Sequence, residues 1–156
     1  MKTEVREILN AVRAGDMSVD DAVLALKKEP FEDIGYAKID LHRGVRQGAP
    51  EVIYGAGKTA RQIIGIAKEM RGHGEKTILI TRLSKQAADE VRTEIDLDYR
   101  AEARIGIIGS LPRPNGIGKI VIATGGTSDI PVAEEAAVTA EVHGNEVLRL
   151  YDVGVS

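Results

Sequence analysis

The chain of 156 residues has no cysteine, no tryptophan and a single phenylalanine. Without cysteine, disulfides, thiolate zinc sites and a cysteine nucleophile are excluded from these residues. With aromatic residues at only 3%, any core has to be aliphatic, built from Ile, Val, Leu and Ala. An apolar run of about 18 residues that could span a bilayer is also missing. The opening stretch MKTEVREILNAVRAG places acids where a signal peptide would be apolar. The expectation is therefore a soluble cytoplasmic chain with no membrane partner. There is no basic excess either: 24 acidic against 21 basic side chains give a net charge of -3. A nucleic-acid binder needs a basic face, so nucleic acid is not an expected partner. The three histidines are scattered without metal-ligand spacing, so no metal site is expected.

Hydrophobic residues make up 43% of the chain, enough to build a buried core. Val5, Ile8, Leu9 and Val12 repeat at helical spacing until Gly15. Ser18 is suited to cap a second helix, with Asp21 at the capping-box position and Val19, Ala22, Val23 and Leu26 on its apolar face. Residues 1–29 thus read as a helical hairpin. Its 5 basic and 6 acidic side chains favour packing against a partner over reading DNA. Residues 30–50 have no sustained period, three glycines and two prolines, and read as a linker or functional loop.

From Glu51 onward short β-branched runs alternate with helical stretches: EVIYG and KTARQIIGIAKEM, KTILIT and SKQAADEVRTEI, ARIGIIG, KIVIAT and PVAEEAAVTAEV, then EVLRLY. Repeated strand and helix predict an α/β fold with a largely parallel sheet. The segment SLPRPNGIG, residues 110–118, carries two prolines and two glycines and reads as a linker. It would separate a small α/β domain, residues 51–109, from a second domain that starts in 119–156. One β-α-β unit in that second part would leave apolar surface open.

Three strings can carry chemistry. Gly55-Ala56-Gly57-Lys58-Thr59 has the end of a phosphate-binding loop, but Val52 stands where a Walker A loop needs its first glycine. What remains is either a plain turn or a helix N-terminus where Lys58 and Thr59 could hold an anion. Thr124-Gly125-Gly126-Thr127-Ser128-Asp129 follows a strand and precedes a helix, the place where open α/β sheets bind ligands. There Gly125 and Gly126 allow close backbone approach, Thr127 and Ser128 offer hydroxyls, and Asp129 could accept from a ribose. Equally, Ser128 or Asp129 could simply cap a helix with Pro131 in its first turn. In His42-Arg43-Gly44-Val45-Arg46-Gln47-Gly48, the guanidinium forks of Arg43 and Arg46 suit a phosphate or carboxylate, and an ordinary solvated charge group is at least as good a reading.

The strings DLHRGVRQGAPEVIYGAGKT and ATGGTSDIPVAEEAAVTAEVHGNEVLRLYDVGV, in this order, resemble the LarB family of nickel-pincer cofactor biosynthesis. The resemblance covers nearly the whole chain. It implies that the second string opens a domain similar to PurE, the AIR carboxylase, whose corresponding loop reads Gly-Ser-x-Ser-Asp. By position, Ser128 and Asp129 match the serine and aspartate that hold ribose and phosphate there. Gly126 replaces the first serine, which points to a different nucleotide.

The implied reaction is carboxylation of the pyridinium ring of nicotinic acid adenine dinucleotide by CO2 or bicarbonate, with hydrolysis of the phosphoanhydride to release AMP. Magnesium is a candidate aid to that hydrolysis; no other cofactor is evident. The family's cysteine nucleophile and a His-Arg pair would lie beyond Ser156, so the chain is expected to be the amino-terminal portion of a protein of roughly 250 residues. No catalytic residue is expected within it, and alone it should not turn over. The resemblance to PurE implies a homo-oligomer, an octamer, and the alanine-rich stretch 131–142 suits close packing against a copy. Two alternatives stay open: a PurE-like AIR carboxylase, and a non-catalytic nucleotide-binding or assembly module.

Overall fold

The computed structural model describes residues 2–28, 31–33, 38–40 and 52–154. The chain divides into two compact units, Met1–Gly48 and Ala49–Ser156.

In the first unit, helices α1 (Lys2–Ala14) and α2 (Val19–Lys28) pack on each other. Gly15 ends α1 at a φ of 83°, and Gly15 and Asp16 donate to the carbonyls of Val12 and Ala11, a Schellman closure that favours glycine. The Ser18 hydroxyl accepts from the Asp21 N–H at 3.0 Å, so the cap seen in the sequence starts α2. Within the stretch that has no sequence period, β1 (Phe31–Asp33) and β2 (Lys38–Asp40) pair antiparallel. Three-residue strands are too short to reveal an alternation.

The second unit is α/β, as expected, and holds two sheets. The larger has the order β3-β4-β6-β5, from Val52–Tyr54, Thr77–Thr81, Ile105–Gly109 and Asp98–Arg100. The expected parallel arrangement holds for β3 with β4, whereas β4–β6 and β5–β6 are antiparallel. The cause is local. Helix α4 (Lys85–Val91) ends early, β5 follows, and a tight turn closed by Arg104, at a φ of 52°, sends β6 back beside it.

Helix α3 (Ala60–Gly72) packs against β3 and α4. Ile63, Ala67, Met70, Ile78, Leu79, Ile80, Leu83 and Val91 are fully buried, and each large aliphatic side chain contributes about 1.5 to 3 kcal/mol by leaving water.

The smaller sheet pairs β7 (Lys119–Ala123) with β8 (Glu146–Leu150) in parallel, joined through α5 (Ile130–Val142). Helix α5 touches β4, β7 and β8, and its Val138 and Val142 share a cluster with Leu79, Ala103, Ile105 and Ile107. The segment 110–118 therefore runs between strands that are braced by one helix. On the other face of the β7–β8 pair, Val121, Leu148 and Leu150 are exposed.

Candidate functional site: the loop after β7

β7 is followed by Thr124, the buried polar residue among the described residues. Its backbone N–H donates to Leu150 O, and its carbonyl accepts from the N–H of Val153, both at 3.0 Å. The hydroxyl accepts from the N–H of Asp152, also at 3.0 Å. One residue on, Gly125 O accepts from the N–H of Gly154 at 3.1 Å. The chain after β8 is thereby laid along the start of the loop. To do so it bends at Asp152, which has a φ of 56°.

Gly126 is extended, and a single 3-10 turn over Thr127–Asp129 leads into α5. Asp129 stands at the N-cap of α5 with φ -88° and ψ -13°, already helical, and makes no capping hydrogen bond through its side chain; Pro131 lies in the first turn. Among the described residues, the N–H groups of Gly125 and Gly126, the hydroxyls of Thr127 and Ser128 and the Asp129 carboxylate have no protein partner. A β-carbon added at Gly126 would meet Ser128 Oγ at 3.9 Å and Asp129 Oδ2 at 4.0 Å, so both side chains flank Gly126. The five residues singled out in the sequence follow one another at the carboxyl end of a parallel strand, all exposed but the half-buried Gly126.

Arg149 on β8 lies between Glu134 and Glu141, two helical turns apart on α5. Its Nε donates to Glu134 at 2.9 Å, its Nη2 to Glu141 at 3.1 Å, and Tyr151 Oη donates to Glu134 at 2.7 Å. Burial, the largest single influence on Glu134, pushes its carboxyl up, but the hydrogen bonds from Arg149 and Tyr151 outweigh it and the net shift is downward. Burial, then the bond to Glu134, pushes the Tyr151 phenol up to about 12. Arg149 is held more firmly protonated than usual, first by the hydrogen bond to Glu141. These charges tie β8 to α5.

The other candidates lie elsewhere. Lys58 donates to the Tyr54 carbonyl at 2.8 Å. Thr59 caps α3 in a reciprocal capping box with Gln62, and Gly55 N–H is bound to Thr81 O at 2.7 Å. Lys58 and Thr59 are thus engaged within their own turn, and Gly55 is tied to the neighbouring strand β4. Arg43 and Arg46 lie outside the described residues, as does His42. Among the described residues no group of three His, Asp or Glu side chains could hold a metal ion, and no helix is long and apolar enough to cross a membrane. An open groove of about 620 Å³ runs along α5, lined by Ile120, Val132, Thr139 and His143 among others, and none of the loop residues borders it.

The sequence places Thr124 at the head of the loop string without assigning it a task of its own, and gives Gly154 no role. The bonds of Thr124 to Asp152 and Val153 and of Gly125 to Gly154 join positions 28 to 29 residues apart, and the bare glycine at 154 is the one local signal.

Fold and loop together define an α/β chain with a loop of unengaged polar groups at the carboxyl end of a parallel strand. Residues 31–110 match the model of the LarB/PurE-like N-terminal domain, and the chain belongs to that family. A curated relative from Methanocaldococcus jannaschii, which bears the name "Uncharacterized protein MJ0165", is 36% identical over 165 aligned residues, covering 100% of this chain. The chain spans 64% of that relative's length.

Proposed function

We propose that these residues are part of an enzyme that carboxylates the pyridinium ring of nicotinic acid adenine dinucleotide and hydrolyses its phosphoanhydride, with the loop 125–129 receiving a phosphorylated ribose. The observation that supports this reading is the set of unengaged polar groups on the loop: two backbone N–H groups, two hydroxyls and one carboxylate, gathered at the start of α5. N–H groups at a helix start suit phosphate oxygens. The carboxylate of Asp129 accepts from ribose hydroxyls, and Thr127 and Ser128 complete the set. The absence of a side chain at Gly126 leaves room that a serine would fill.

In the full reaction a thiolate adds to the electron-poor ring, giving an enamine-like dihydropyridine. Its ring carbon forms a bond to CO2. Loss of the ring proton and departure of the thiolate with its electron pair restore the aromatic ring. Water then cleaves the phosphoanhydride to AMP and a dicarboxylated mononucleotide. Having no cysteine, these 156 residues contribute binding and not the nucleophile, and by themselves give no turnover. A magnesium ion held chiefly by the substrate's phosphates would assist that hydrolysis. A cytoplasmic homo-oligomer, octameric as in PurE, belongs to the same reading.

The test is to incubate the full-length protein with nicotinic acid adenine dinucleotide and ¹³C-bicarbonate. Labelled dicarboxylated mononucleotide and an equal amount of AMP are expected. Label entering aminoimidazole ribonucleotide instead would replace this reading with a PurE-type one, and no product from either substrate would leave a non-catalytic module.

A further inference from the structure

Two peptide planes of the loop are oriented by the chain that follows β8. Thr124 O accepts from Val153 N–H, and Gly125 O accepts from Gly154 N–H. In a trans peptide the carbonyl and the following N–H point in opposite directions, and no peptide here is cis. The two bonds therefore turn the N–H groups of Gly125 and Gly126 away from residues 153 and 154. Successive N–H groups held to one side make a concavity for an anion.

What holds residues 152–154 in place is equally specific. Asp152 adopts a φ of 56°, a region that a residue with a β-carbon rarely occupies. Its N–H is anchored on the hydroxyl of Thr124, a residue only 7% exposed. Gly154 then lies so close that a β-carbon would stand 2.2 Å from Gly125 O and 2.9 Å from the Gly125 carbonyl carbon. Only glycine permits that approach, and only a hydroxyl at 124 supplies the anchor.

Resting on the reading of 125–129 as a nucleotide loop, we propose that Thr124 and Gly154 are positioning residues that latch the segment after β8 to the loop and so aim the Gly125 and Gly126 N–H groups at the nucleotide's phosphate. The latch acts on the phosphate and not on the base or ribose. Loosening it costs affinity for phosphorylated ligands and spares their phosphate-free counterparts.

The experiment uses the full-length protein and two probe pairs, AMP with adenosine and nicotinic acid mononucleotide with its riboside, titrated calorimetrically at a temperature where every variant is folded. For the pair in which wild type prefers the phosphorylated member, Thr124→Val and Gly154→Ala should weaken that member by about tenfold or more, the loss of a charged hydrogen bond. The phosphate-free member should change by less than about twofold, and Thr124→Ser, which keeps the hydroxyl, should behave as wild type. A purely structural role would lower the melting temperature and leave the ratio of the two affinities unchanged, and that result overturns the proposal while the nucleotide reading stands. Wild type binding none of the four probes overturns both. If Gly154→Ala does not fold, Thr124→Val against Thr124→Ser decides alone.

Discussion

Replacing Arg149 by methionine keeps most of the aliphatic stem and deletes the guanidinium, leaving Glu134 and Glu141 without their cation. The three side chains are 30%, 18% and 28% exposed, so the charges are largely but not wholly withdrawn from water. Removing one partner of a fully buried pair costs about 3 to 5 kcal/mol. Solvent access here reduces that to about 2 to 3 kcal/mol at neutral pH, in line with the value of hydrogen bonds to charged groups. For a domain of this size that is a fall of roughly 4 to 12 °C in melting temperature.

The loss must also depend on pH, with a sign that can be worked out. In the wild type the Glu134 carboxyl titrates below its ordinary value, so its contribution is present above the unfolded pKa and is lost as pH falls through the folded one. In Arg149→Met burial is no longer outweighed by the arginine, Glu134 titrates higher, and protonation relieves the unpaired charge. The gap between the two proteins should therefore be widest near pH 7 and narrow towards pH 4. Thermal unfolding followed by circular dichroism at both pH values reads it. A difference under about 0.5 kcal/mol at pH 7, or a gap indifferent to pH, would refute the claim that this cluster ties β8 to α5.

Thr59→Ala removes the capping box of α3 and should cost about 1 kcal/mol in denaturant unfolding, with ligand affinity unchanged. Gly109→Ala should be far more damaging: at a φ of 91° its β-carbon would stand 2.0 Å from Lys76 O, and soluble yield should collapse or stability fall by roughly 3 kcal/mol or more. Asp129→Asn should leave stability within about 1 kcal/mol, because the carboxylate makes no cap, yet weaken nucleotide binding by about ten- to a hundredfold in calorimetry. Equal affinities would remove Asp129 from the ribose.

Where the sequence was legible, the signal was local. Val5, Ile8, Leu9 and Val12 share a face whose spacing alone gives α1, and Gly15 and Ser18 mark the turn because each performs a backbone task that few residues can. The loop Gly125–Asp129 was legible for the same reason: glycines and hydroxyls between a strand and a helix. The strand β5 was hidden behind the polar tail of the preceding helix, although Leu97 and Tyr99 alternating with Asp96, Asp98 and Arg100 is a period of two. Missing it also concealed the antiparallel pairings, because strand direction depends on the turn at Ala101–Arg104 and not on the composition of β6. The Arg149 cluster and the contact of Gly154 with Gly125 were beyond local reading altogether. They depend on which residues of α5, β8 and the loop the fold brings within bonding distance.

The most direct measurement is hydrogen–deuterium exchange of the full-length protein with and without nicotinic acid adenine dinucleotide, resolved to short peptides. Added dinucleotide should protect the peptides containing residues 124–129 and 152–154, with the groove along α5 at Val132, Thr139 and His143 unchanged. Protection confined to that groove, with the loop exchanging as in the ligand-free protein, would contradict it.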